Sequence, residues 1–100
     1  MVDKVKSELA EVKYYFLRKA NMEALSIYVG ESKSKTLAEK YVSTIIQAPA
    51  RLYDLFGCLY VQNKTQEAVA LEMCYSEEYI RRLIRELINY FAKTLYEGGE

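Results

Sequence analysis

The sequence predicts an all-α fold, and three observations predict it. Residues 2–29 contain no Pro and no Gly and are dominated by Ala, Leu, Glu, Lys and Met, all good helix formers. Apolar residues recur at about 3.6-residue spacing in one segment after another. The stretch 65–91, TQEAVALEMCYSEEYIRRLIRELINYF, reads as two helices joined by a short turn, the second the longer, which is the layout of a helix-turn-helix.

In chain order, residues 2–29 form one long helix or two abutting ones. Val5, Leu9, Val12, Phe16, Ala20 and Ile27 share a narrow arc, an ordinary core-facing stripe. Ala10, Tyr14, Leu17, Ala24, Leu25 and Tyr28 lie on another arc, and a helix apolar on two sides needs two partners. That second face either packs on the C-terminal helix or serves self-association. Gly30 is placed to cap the helix, and GESKS (residues 30–34) is a polar connection of ordinary length.

A shorter second helix starts at Ser34 or Thr36 and ends at Gln47, with Leu37, Tyr41, Val42 and Ile45 on one side. The sole proline, Pro49, can start a helix but cannot continue one. The helix it opens runs to about Val61 and presents Leu52, Leu55, Phe56, Leu59 and Tyr60 as its apolar side. Gly57 weakens it by about 1 kcal/mol against Ala, which suggests that another helix crosses closely there. Gln62, Asn63 and Lys64 form a turn.

Within residues 65–91, Thr65 is an N-cap with Glu67 in the first turn, and Ala68, Val69, Leu71 and Met73 are the apolar positions of a short helix. Cys74 and Tyr75 make the turn. Ser76 is a second N-cap, followed by Glu77 and Glu78, so the start of the long helix is well specified. Ile80, Leu83, Ile84, Leu87, Ile88 and Phe91 share its apolar arc, while Glu78, Arg81, Arg82 and Arg85 share an adjacent solvent-facing arc. A helix that reads a major groove needs this division, with guanidinium groups long enough for phosphates and guanine edges. The plainer reading is that Glu78 pairs with the three arginines at helical spacing.

The totals narrow the function classes. One hundred residues, 51% hydrophobic and 28% charged, fit one globular unit, with 1–47 as a packing and oligomerisation segment and 48–96 as the helix-turn-helix. Beyond Leu95, YEGGE carries no signal that separates a frayed end from anything more. Fourteen basic and fourteen acidic residues cancel, so any pull on nucleic acid must be local. From residue 64 to 93 the balance also holds, with Lys64, Arg81, Arg82, Arg85 and Lys93 against Glu67, Glu72, Glu77, Glu78 and Glu86. A monomer so balanced is expected to have weak nonspecific affinity and a shallow salt slope.

His is absent, so the commonest general base and metal ligand are missing, and no Gly-rich phosphate loop or nucleophile–base pair takes its place. No enzymatic role, cofactor or small-molecule substrate is expected. Glu8, Glu11 and Glu23 read as a solvated face. Cys58 and Cys74 lack the spacing of a zinc site and read as buried free thiols in a reducing cytoplasm. No apolar run approaches a membrane span, and a cytoplasmic protein is expected.

Residues 48–91 resemble the C-terminal, promoter-reading domain of bacterial sigma factors. The resemblance is carried without gaps by Pro49, Lys64, Thr65, Glu67, Val69, Ala70, Met73, Ser76 and Ile80. The wording MCYSEEYIRRL, and more loosely KYYFLRKANMEAL in the N-terminal helix, is similar to small phage-encoded regulators of the RinA/ArpU type, associated with control of late phage genes.

That resemblance implies a DNA-binding transcriptional regulator, encoded by a phage or prophage and acting in the bacterial host. Its partner would be double-stranded DNA, read by the helix 76–90. Carried over position by position, the contacts fall at Ser76, Glu77, Glu78, Arg81, Arg82 and Arg85, with Lys64 and Thr65 near the phosphate backbone. Two positions depart from the pattern. Glu77 stands where many such domains have a basic or small polar residue, and Tyr79 where a basic residue is common. A homodimer through the N-terminal helix, or RNA polymerase as a partner, would supply the missing affinity. Two alternatives stay open: a module that docks on RNA polymerase or another phage protein with little DNA contact, and a small DNA-packaging subunit that forms rings.

Overall fold

In the computed structural model, which describes residues 1–24 and 33–97, the chain is all-α. Helix α1 is Val2–Ala24, α2 is Lys33–Ile45 and α3 is Ala50–Phe56. A π-helical turn, Gly57–Val61, continues α3, and its Gln62 N–H donates to the Gly57 carbonyl at 2.9 Å. Helix α4 is Gln66–Met73, and α5, Glu77–Phe91, runs on into a second π-helical turn, Ala92–Tyr96. No helix among the described residues is long and apolar enough to cross a membrane.

One core joins all of these. Val5, Leu9 and Val12 of α1 meet Tyr41 and Ile45 of α2, Leu55 and Phe56 of α3, Val69 of α4, and Ile80, Leu87 and Phe91 of α5, each with almost no exposed surface. Phe91 is at its aromatic centre, with ring centroids 4.6 Å from Tyr41 and 5.7 Å from Phe56. Such tilted and edge-on pairs add about 0.5–1.5 kcal/mol beyond their area.

Several expectations are corrected. In α1 the buried stripe takes in Tyr15 and leaves Ala20 exposed, because α1 packs on both α2 and the Gly57–Val61 turn and so turns a wider flank inward. Of the second apolar set, Tyr14 is 60% exposed and Leu17 45%, so these two do not pack on α5. Leu25, Ile27, Tyr28 and Gly30 lie outside the described residues. Helix α2 ends at Ile45, short of Gln47. The turn that ends it bonds the Ala48 N–H to the Ile45 carbonyl at 3.0 Å. Pro49 is the residue before α3 rather than its first turn, with ψ of 147°.

Gly57 has no close crossing: a Cβ there would meet nothing within 4 Å. Instead, it stands where the backbone passes from α- to π-helical bonding. Glu8 is not simply solvated. Its Oε1 accepts from Tyr41 Oη at 2.7 Å and from Tyr96 Oη. Lys40 Nζ donates to Tyr96 Oη at 3.1 Å, and Lys4 and Lys40 lie over the Tyr96 ring at 4.4 and 4.7 Å from its centroid. This cluster ties α1, α2 and the C-terminal turn together.

Candidate nucleic-acid interface

Two side-chain caps and one left-handed turn build the α4–α5 pair. Thr65 Oγ1 accepts from the Ala68 N–H at 3.1 Å, satisfying one of the unpaired donors at the start of α4. At the far end Cys74 is left-handed, with φ of 60°, and the Tyr75 N–H reaches back to the Ala70 carbonyl at 2.9 Å, a Schellman closure. Ser76 Oγ then accepts from the Tyr79 N–H at 3.1 Å and starts α5. Tyr75 packs edge-on against Tyr79, centroids 4.7 Å apart, across this second start.

The apolar positions of α4 are Val69 and Ala70, with Met73 partly buried. Leu71, expected among them, is 83% exposed. At 100° per residue Leu71 lies opposite the midpoint of Val69, Ala70 and Met73, so an eight-residue helix that buries those three must expose it. The cysteines also differ from expectation. Cys74 is exposed, since the left-handed turn carries it off the helix face, and Cys58 is half-buried; both are free.

Helix α5 is anchored by Ile80, Leu83, Leu87, Ile88 and Phe91, all buried, with Ile84 half-buried at the edge. Glu78, Arg81, Arg82 and Arg85 are all exposed on the outward side, with Glu77 at the first turn. Among the described residues Glu78 makes no ion pair with Arg81, Arg82 or Arg85, and no hydrogen bond holds any of the three guanidinium groups.

The neighbouring carboxylates are engaged elsewhere. Arg51 of α3 forks onto Glu86, Nε to Oε1 and Nη2 to Oε2 both at 2.9 Å. Those hydrogen bonds, only partly opposed by burial, hold the Glu86 carboxyl below its ordinary range. Lys64, expected near the phosphate backbone, donates to Glu72 at 2.8 Å, and that bond raises its own pKa. Thr65 and Ser76 face inward on the N–H groups that they cap, though both side chains remain solvent-accessible.

The structure therefore brings Glu77, Glu78, Arg81, Arg82 and Arg85 onto one helix and commits Lys64 to an ion pair. Arg51 was missed by sequence reading, and its partner is 35 residues away, beyond any local spacing rule. Among the described residues no cluster of three or more His, Cys, Asp or Glu is arranged to hold a metal. No family model, no curated protein and no solved structure matches this chain.

Proposed function

We propose that the chain is a DNA-binding transcriptional regulator of the sigma-like helix-turn-helix kind, phage or prophage encoded, in which α5 enters a major groove. The observation that carries this reading is the outward side of α5, where Arg81, Arg82 and Arg85 are exposed and uncommitted on a helix whose other side is anchored in the core. Ion pairing leaves the net charge of residues 48–96 at zero, six basic residues against six acidic with Arg51 and Asp54 counted. It decides instead which charges stand outside ion pairs: with Glu72 and Glu86 held by Lys64 and Arg51, those of residues 64–93 are Arg81, Arg82, Arg85 and Lys93 against Glu67, Glu77 and Glu78. Guanidinium groups here would contact phosphates and guanine edges, and Glu78 would accept from a cytosine amino group. One copy remains a weak binder, and self-association would double the set of arginines.

The test is an anisotropy titration against promoter-region DNA at several salt concentrations. If each arginine neutralises one phosphate, the three together give a slope of about −2.7 in log K against log salt, and Arg82→Ala/Arg85→Ala reduces it to about −0.9. Wild type and variant binding equally poorly at low salt would overturn the reading.

A second reading has its own support in Leu71, Tyr53 and Tyr75, large apolar side chains all left exposed. They suit a module that docks on RNA polymerase, since aromatic residues are enriched at interfaces. Recovery of polymerase from host lysate without retention on DNA would favour it.

A further inference from the structure

Glu86 stands on α5 one turn beyond Arg82, at the i, i+4 spacing at which side chains of one helix meet. At 100° per residue the two point only about 40° apart around the helix, whereas Arg81 is about 140° from Glu86. Arg85 is its immediate neighbour in sequence, a spacing that does not bring side chains face to face. Arg82 is therefore the α5 arginine that a free Glu86 would engage.

The structure sends Glu86 the other way. Arg51, in the first turn of α3, grips both carboxylate oxygens, Nε to Oε1 and Nη2 to Oε2, each at 2.9 Å. A surface ion pair counts for little unless its geometry is two-pointed, as this one is. Asp54, three residues on along α3, is the local partner for Arg51, yet among the described residues it forms no ion pair. Arg51 passes over its own helix to reach a carboxylate 35 residues away. Packing holds both ends in place, since Leu52 beside Arg51 and Leu87 beside Glu86 are buried.

We infer that Arg51 is a positioning residue for the α5 interface: by drawing Glu86 toward α3 it keeps that carboxylate off Arg82 and leaves Arg82 available to a phosphate. The inference rests on the DNA-binding reading above and gives Arg51 a part in it with no DNA contact of its own. Without Arg51, Glu86 either pairs with Arg82 or repels the phosphate that Arg82 approaches. Each removes about one of the three phosphate contacts.

The first test is an anisotropy titration against a random-sequence DNA duplex, because phosphate attraction does not depend on sequence. Arg51→Ala is expected to bring the salt slope from about −2.7 to about −1.8 and to weaken binding about tenfold at about 50 mM salt. Arg51→Ala/Glu86→Gln should restore both values. Arg51→Ala/Glu39→Gln, which restores the same net charge, should not, since Glu39 lies on α2 beside a hollow to which α5 contributes no lining residue. The second test uses no DNA and follows the Glu86 carboxyl by NMR through a pH titration. In the Arg51→Ala background, adding Arg82→Ala should raise its midpoint, because a guanidinium at hand favours the charged form. With Arg51 present, Arg82→Ala should leave the midpoint where it is.

An Arg51→Ala variant that binds like wild type overturns the inference. Weak binding that Glu86→Gln does not rescue also overturns it, by making Arg51 a phosphate contact or a purely structural residue. Equal rescue by Glu39→Gln would reduce the effect to net charge and overturn it as well. So would a Glu86 carboxyl that ignores Arg82 in the Arg51→Ala background. The two readings fail separately: wild type that binds no duplex at low salt sinks the DNA reading, while a bound duplex with a Glu86 blind to Arg82 sinks only this one.

Discussion

Removing the Glu8 carboxylate is the perturbation whose cost the structure lets one work out. Tyr41 has no exposed surface, and its hydroxyl donates to Glu8 Oε1 at 2.7 Å. Glu8→Ala leaves that hydroxyl buried without its acceptor, a loss of about 1–3 kcal/mol. The added loss of the Lys4 and Lys40 attraction, at the surface, is below about 1 kcal/mol. Tyr41→Phe keeps the ring against Phe91 and gives up one hydrogen bond to a charged acceptor, about 1.5–3 kcal/mol. Since the two substitutions remove the same bond, the double variant should fall short of their sum by about 1–2 kcal/mol in urea denaturation. Additivity within about 0.5 kcal/mol would refute the coupling.

The same site makes an acid-limb prediction. Burial pushes the Glu8 carboxyl up, but hydrogen bonds from Tyr96 and Tyr41, with the charges of Lys40 and Lys4, outweigh it and hold the group below its ordinary value. A carboxyl lowered by folding binds fewer protons in the folded state than in the unfolded chain, so its stabilisation is present above the unfolded pKa of about 4.3 and fades as pH falls through the folded value. The stability difference between wild type and Glu8→Gln should therefore shrink from about pH 5 downward. A difference constant from pH 7 to about pH 3 would show that Glu8 does not carry this dependence.

Other substitutions test the local reading. Gly57→Ala should stabilise by about 0.5–1 kcal/mol in urea melts, because the backbone there is helical and a Cβ has open space. A loss of stability would mean that the turn needs the glycine after all. Cys74→Gly should also stabilise, by about 1 kcal/mol, since φ of 60° is costly for any residue with a Cβ; the melting temperature reads it directly. Ser76→Ala should cost about 1 kcal/mol by removing the cap of α5, with Ser76→Asp close to neutral. Equal melting of all three Ser76 forms would argue that α5 starts without its cap.

Much of the fold was legible because its signals are local. Thr65 and Ser76 bond N–H groups three residues on, and the apolar arc of α5 repeats within single turns, so residues 65–91 announced both helices and their junction. The outward arc of Glu78, Arg81, Arg82 and Arg85 was legible for the same reason, being the complement of the buried arc. Leu71 shows where local reading stops. It is as apolar as Leu83, and only the direction from which the core approaches α4 makes one exposed and the other buried.

What the sequence by itself determined is therefore the set of helices, their caps and the two sides of α5, all decided by contacts between residues a few positions apart. Tertiary structure alone decided which charges remain free. Glu86 is paired with Arg51 from 35 residues away, and Glu8 is held in its charged form by hydrogen bonds from tyrosines 33 and 88 residues along the chain. Counting charges along residues 64–93 gave a neutral motif; packing α3 against α5 pairs Glu86 with Arg51, which leaves the total neutral and the three α5 arginines outside any ion pair. The same packing left Ile46 and Tyr53 standing beside open apolar hollows, because which apolar residues find partners depends on how the helices cross and not on their order.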